Sequence, residues 1–121
     1  MESKAAPCEN PSAAPSGKVL SPADEIAAHA EAAESFLRSI ANRHRLMVLC
    51  ALLEGEVSAG ELSRRLGLTQ SNLSRHLATL RAEGLVATRR EATTIHYRIA
   101  SDRVRTILLT LQGMFCPPPK G

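Results

Sequence analysis

Long apolar runs, lysine and closely spaced cysteines are all scarce in this chain of 121 residues. No apolar stretch approaches the about 20 residues of a membrane-spanning helix, and the N-terminus lacks the apolar core of a secretion signal. The expectation is a cytoplasmic protein. Cys8, Cys50 and Cys116 are an odd number at wide spacing, unlike the disulfide framework of a small secreted domain. In a reducing compartment any disulfide between them is a signal more than a staple. Lysine is confined to Lys4, Lys18 and Lys120, so arginine carries the positive charge from Arg38 onward. The formal net charge is only +3, from 15 basic against 12 acidic residues. Arginine's planar fork suits phosphates and guanine edges, yet the same balance fits ordinary solvated surface, and composition alone does not decide.

The length suffices for one compact domain and a tail, with no room for a second core. A domain of this size buries a small share of its surface, so an oligomer is expected. Residues 1–20 hold Pro7, Pro11, Pro15 and Gly17 among alanine and serine and read as a disordered tail; the proline run of 117–121 reads as a loose end. Residues 21–116 between them read as one domain.

Within it the punctuation is clear. Ser21, Pro22 and Asp24 make a helix start, and the first helix is predicted to run to about Ile40 with Ile26, Ala30, Ala33, Phe36, Leu37 and Ile40 on one side. Asn42 caps a second helix carrying Leu46, Met47, Leu49, Cys50, Leu52 and Leu53, which ends before Gly55. Ser58 with Glu61 opens a short third helix that stops at Gly67. Thr69 caps a fourth, with Leu73, Leu77 and Leu80, that stops at Gly84. The period then shortens. Residues 85–90 and 95–99 are rich in β-formers around a turn-sized gap at 91–94, which predicts a hairpin. Ser101 or Asp102 starts a last helix with Val104, Ile107, Leu108, Leu111 and Phe115 as its apolar stripe. The predicted fold is mainly α with a small β-hairpin, in the order four helices, two strands, one helix, without internal repeats.

The helices at 58–66 and 69–83 are joined by Gly67 and Leu68 alone. Leu62 and Leu66 on one and Leu73 and Leu77 on the other close a small shared core, which presents the second helix outward as a helix-turn-helix does. Its free face carries Gln70, Ser71, Ser74 and Arg75, with His76 and Arg81 further along, and no acid occurs from 69 to 82. Glutamine pairs with adenine, arginine with guanine, and serine with several edges; Thr69 and the open N–H groups of the helix start suit a phosphate. The hairpin serves as a wing, with Arg89, Arg90, Thr93 and Thr94 set to lie along phosphates or in a minor groove. Arg89 and Arg90 serve equally as a charged edge that keeps a hairpin from pairing elsewhere.

The stretches Ala41-Asn42-Arg43-His44-Arg45-Leu46, Val57-Ser58-Ala59-Gly60-Glu61-Leu62, Leu68-Thr69-Gln70-Ser71-Asn72-Leu73-Ser74-Arg75-His76-Leu77 and Leu80-Arg81-Ala82-Glu83-Gly84-Leu85-Val86 resemble the ArsR/SmtB transcriptional repressors of bacteria. The resemblance covers residues 31–116. It implies a winged helix-turn-helix homodimer, paired through its first and last helices, that represses from a pseudo-palindromic operator in double-stranded DNA. Two-fold symmetry then sets two copies of the Thr69 helix in successive major grooves.

The same resemblance frames what is sensed. The family's metal sites use thiolate pairs on the third helix, or histidine and acid clusters on the last. Here 58–66 has no cysteine, and the last helix has no histidine and only Asp102 as an acid. His29, His44, His76 and His96 are scattered, so no metal or other cofactor is expected; His76 and His96 read as DNA-facing or structural. Cys50 in the second helix and Cys116 at the end of the last are similar to the paired thiols of the persulfide- and oxidant-sensing branch. That likeness implies a disulfide or polysulfide link between them, which releases DNA. Residue properties alone leave a buried structural Cys50 and an incidental Cys116 open. Cys116, beside the tail, is the candidate for first attack, and Arg43, His44 and Arg45 are candidates to steady a thiolate. Cys8 lies outside the matched region. The alternatives are a metal-responsive repressor and, in another class, a thiol oxidoreductase, which needs a Cys-x-x-Cys or a nearby base that is missing here.

Overall fold

A computed structural model describes residues 21–116; Cys8 and the two predicted tails, 1–20 and 117–121, lie outside the described residues. The chain divides into two units, the first ending at Leu37 and the second beginning at Arg38.

The first unit holds α1 (Pro22–Ala28) and most of α2 (Ala30–Ile40). Ser21 caps α1: its hydroxyl accepts from the Asp24 N–H at 3.2 Å and donates to the Asp24 carboxylate at 3.0 Å. The single helix predicted to run to Ile40 is broken at His29, whose φ of −117° leaves the helical range and whose N–H turns to the Ile26 carbonyl at 3.0 Å. α1 buries no side chain, so only its cap and propensity support it, and histidine is a weaker helix former than the alanines around it. Ile26 and Leu37 are 58% and 50% exposed.

The second unit is built on α3 (Arg43–Ala51), which Asn42 caps by accepting from the His44 and Arg45 N–H groups at 3.0 and 3.1 Å. A 3-10 turn (Leu52–Glu54) follows, then β1 (Val57–Ser58), α4 (Ala59–Leu66), α5 (Gln70–Ala82), β2 (Val86–Glu91), β3 (Thr94–Ile99) and α6 (Asp102–Phe115). Val48 and Leu49 of α3, Leu62 of α4, Leu73 and Leu80 of α5 and Val104 and Leu108 of α6 are wholly or almost wholly buried, with Leu52 beside them. Each comes from the apolar spacing of its own helix, so the helices share one aliphatic core. The predicted stripe of α6 is buried only in part, for Phe115 is 77% exposed.

The predicted hairpin is one edge of a three-stranded antiparallel sheet ordered β1-β3-β2. β1 pairs Val57 with Tyr97 and Ser58 with His96; the hairpin pairs Arg89 with His96 and Glu91 with Thr94. Two residues are too few to show a period, so β1 was invisible in the sequence. The hairpin turn is tighter than the predicted gap, only Ala92 and Thr93, and Ala92 takes a φ of 57°.

Candidate nucleic-acid interface and thiol pair

α4 and α5 meet at a turn fixed by three local devices. Gly67 closes α4 at a φ of 66°, where an L side chain is strained. The Ser63 hydroxyl donates to the Leu68 carbonyl at 2.6 Å, and the Leu68 side chain is buried beneath it. Thr69 then caps α5, its Oγ1 accepting from the Asn72 N–H at 3.2 Å. This use occupies the Thr69 oxygen as an acceptor and leaves its O–H free to donate.

α5 buries Leu73, Leu77 and Leu80 and leaves Gln70, Ser71, Ser74, Arg75 and Arg81 exposed, with no acid in its first turn. Arg75 donates to the Asn72 side-chain carbonyl, which props its guanidinium above the outer face. His76 sits differently. It is half-buried, and its ring lies 5.7 Å from that of His44 on α3, tilted by 52°. Burial, then the charge of Arg45, then His44 and Arg75, push the His76 imidazole below its ordinary value. Arg45 donates from Nη1 to the Ser39 carbonyl at 3.1 Å, while its Nε is buried and has no partner among the described residues.

On the wing, successive residues point to opposite faces, so Arg89 and Arg90 cannot lie on one surface. Arg90 is exposed and makes no ion pair among the described residues. Arg89 is clasped by Glu56, with Glu91 at its flank. Thr93 and Thr94 are exposed at the tip. Glu56 went unread in the sequence because it meets Arg89 only through the pairing of β1, and no local spacing joins positions 56 and 89.

Both described cysteines are exposed free thiols. Cys50 follows Met47 on the outer side of α3; Cys116 ends α6, its N–H bonded to the Gln112 carbonyl at 2.9 Å. Partial burial, and after it the charge of Cys116, hold the Cys50 thiol above its ordinary value. Cys50 is therefore not the buried core residue that remained open above. Arg43, His44 and Arg45 are not among the groups that act on the Cys50 thiol. They lie between about one and a half and two turns up α3 from Cys50, roughly 7 to 10 Å along the axis at 1.5 Å per residue, and His44 is turned to His76. Among the described residues, no group of three or more His, Cys, Asp or Glu side chains could hold a metal ion.

A capped α4–α5 turn beside a three-stranded sheet defines a winged helix-turn-helix protein. A profile of the family described as "Bacterial regulatory protein, arsR family" matches residues 42–88. HlyU of Vibrio cholerae, named a transcriptional activator, is 50% identical over 80 residues, spanning 66% of this chain and 74% of that protein. A structure of reduced HlyU from the same organism superposes with a TM-score of 0.73 at 45% identity, covering 77% of this chain and 98% of the other. The transcriptional repressor BigR from Xylella fastidiosa superposes with a TM-score of 0.76 at 33% identity, over 81% of this chain and all of that one. Mb0332 from Mycobacterium bovis, a homodimeric winged helix-turn-helix DNA-binding domain, superposes with a TM-score of 0.65 at 29% identity, over 79% and 89%. The chain belongs to the arsR family of bacterial regulatory proteins; it is a transcriptional regulator and not an enzyme.

Proposed function

We propose that this regulator is a homodimeric repressor that leaves its operator when Cys50 and Cys116 become linked. Two copies of α5 enter successive major grooves of a pseudo-palindromic duplex. Gln70, Ser71, Ser74 and Arg75 meet base edges, the O–H of Thr69 and the open N–H groups beside it meet a phosphate, and His76 and Arg81 flank the contact. Arg89, Arg90, Thr93 and Thr94 of the wing hold the backbone. Support for the dimer is the apolar surface left uncovered on α6, where Leu109, Met114 and Phe115 are 54%, 67% and 77% exposed.

The observation that carries the switch is that two exposed thiols sit on helices, α3 and α6, that pack against one another. Burial disfavours the Cys50 thiolate, and the first attack is assigned to Cys116 at the exposed end of α6. Its thiolate attacks the terminal sulfur of a persulfide donor, expelling the donor's thiolate and leaving Cys116 as a persulfide. Cys50, on losing its proton, attacks the inner sulfur of that persulfide and expels hydrosulfide. The two cysteine thiols are oxidised by two electrons in all, and the donor is reduced to thiol and hydrosulfide. A peroxide reaches the same disulfide by way of a sulfenic acid and water, and a further sulfane sulfur gives a longer bridge. The link fixes α3 to the end of α6 and biases the dimer against DNA.

The test is DNA release, followed on reduced protein before and after persulfide. Wild type is expected to dissociate as mass spectrometry records the Cys50–Cys116 link, while Cys50→Ser and Cys116→Ser stay bound. Equal release of all three proteins sinks the thiol switch and leaves the DNA reading standing.

A further inference from the structure

The wing carries charge of both signs, and their arrangement governs its grip on a polyanion. Glu56 precedes β1 and accepts from Arg89 Nε at 3.1 Å on each oxygen and from Nη2 at 2.9 Å. Glu91 accepts from Nη1 at 3.3 Å. All three guanidinium nitrogens of Arg89 therefore face carboxylates. His96 lies opposite Arg89 in the sheet, with its Nε2 at 3.6 Å from Glu91, and the charge of Arg98 reaches Glu56. Glu56, Arg89, Glu91 and Arg98 sum to no net charge, and Arg89 itself offers a phosphate nothing until it changes partners, while Arg98, exposed on the same face, makes no ion pair among the described residues. The opposite face carries Arg90, which has no such partner.

We propose that Glu56 sets the affinity of this regulator for DNA, holding Arg89 in a carboxylate clasp that a phosphate must displace. The inference rests on the reading of the wing as a DNA contact. Hydrogen bonding from Arg89 holds the Glu56 carboxyl below the usual carboxylate range, so the clasp stays charged at neutral pH. An exposed pair of this kind is weak, which suits a brake: it trims every complex without abolishing any. Glu56 is thus a positioning residue, acting through Arg89 without touching DNA.

The test is a double-mutant cycle read by binding to a short random-sequence DNA duplex across a salt series. Glu56→Gln is expected to tighten binding by about two- to five-fold and to steepen the slope of log K against log salt by up to about 0.9, one phosphate's share. In the Arg89→Gln background the same substitution should change affinity by less than about two-fold, because the brake has nothing left to hold. Equal tightening in both backgrounds makes Glu56 an ordinary repelling charge and overturns the proposal. So does weaker binding by Glu56→Gln alone. If the wild-type protein binds no duplex at all, it is the DNA reading that fails, and the cycle separates the two.

Discussion

Arg75 and Arg90 sit on different elements with different surroundings, and they should fail differently. Arg75 rises from the outer face of α5, propped by Asn72, where a fork meets a base edge. Arg75→Ala should cost about 1–3 kcal/mol at one base pair and relax the choice there. Arg90→Ala should weaken all duplexes alike and lower the salt slope by about 0.9. Competition binding on a set of single-base operator variants separates them; parallel losses from both substitutions would contradict the division. Both arginines were readable from the sequence, since an outward face follows from helical and strand period alone. The Glu56 clasp and the His44–His76 contact were not, because each joins positions brought together only by tertiary packing.

Among the elements, the predicted caps at Ser21, Asn42, Ser58 and Thr69 all accept the N–H expected of them, and of the two candidates for the last helix it is Ser101 that caps and not Asp102. Such contacts span two or three residues, and a local pattern suffices to find them. Two features escaped it. β1 is shorter than a period, and the break at His29 lies in an alanine-rich stretch whose propensity argues for continuity. The wing turn illustrates how a loop can be tighter than its sequence suggests. Ala92 holds a left-handed conformation without being glycine, at a cost of roughly 1–2 kcal/mol. Ala92→Gly should therefore stabilise the protein by about 0.5 kcal/mol after the added freedom of the unfolded chain is subtracted. Gly67→Ala imposes the opposite strain on the α4–α5 turn and should cost about 1 kcal/mol or more. Urea melts of the two variants check both signs, and a destabilised Ala92→Gly would mean the turn is not strained.

For the whole molecule, the depressed His76 imidazole ties stability to pH. The unfolded chain takes up a proton at the ordinary value near 6.5, whereas the folded protein resists until lower pH. Stability is thus fully present above that value and falls as the pH drops toward the folded one. Burial opposes the charged imidazole first, and Arg45 and His44 on α3, with Arg75 on α5 itself, add to it. Thermal melts between neutral and mildly acidic pH should show a decline that His76→Gln flattens; an unchanged slope would place the acid sensitivity elsewhere.

The core is aliphatic throughout, and the chain has no tryptophan and a single tyrosine, Tyr97. That residue lies on the middle strand, facing Val57 on one side and Thr88 on the other. Beside the weakly emitting Phe36 and Phe115, the molecule thus carries one tyrosine fluorophore, excited selectively at longer wavelength and placed in the wing sheet. Its emission follows the sheet, while far-ultraviolet ellipticity follows the helices, so two optical channels report separately on the two parts. Whether wing and helices melt as one cooperative body can then be read from the unlabelled protein.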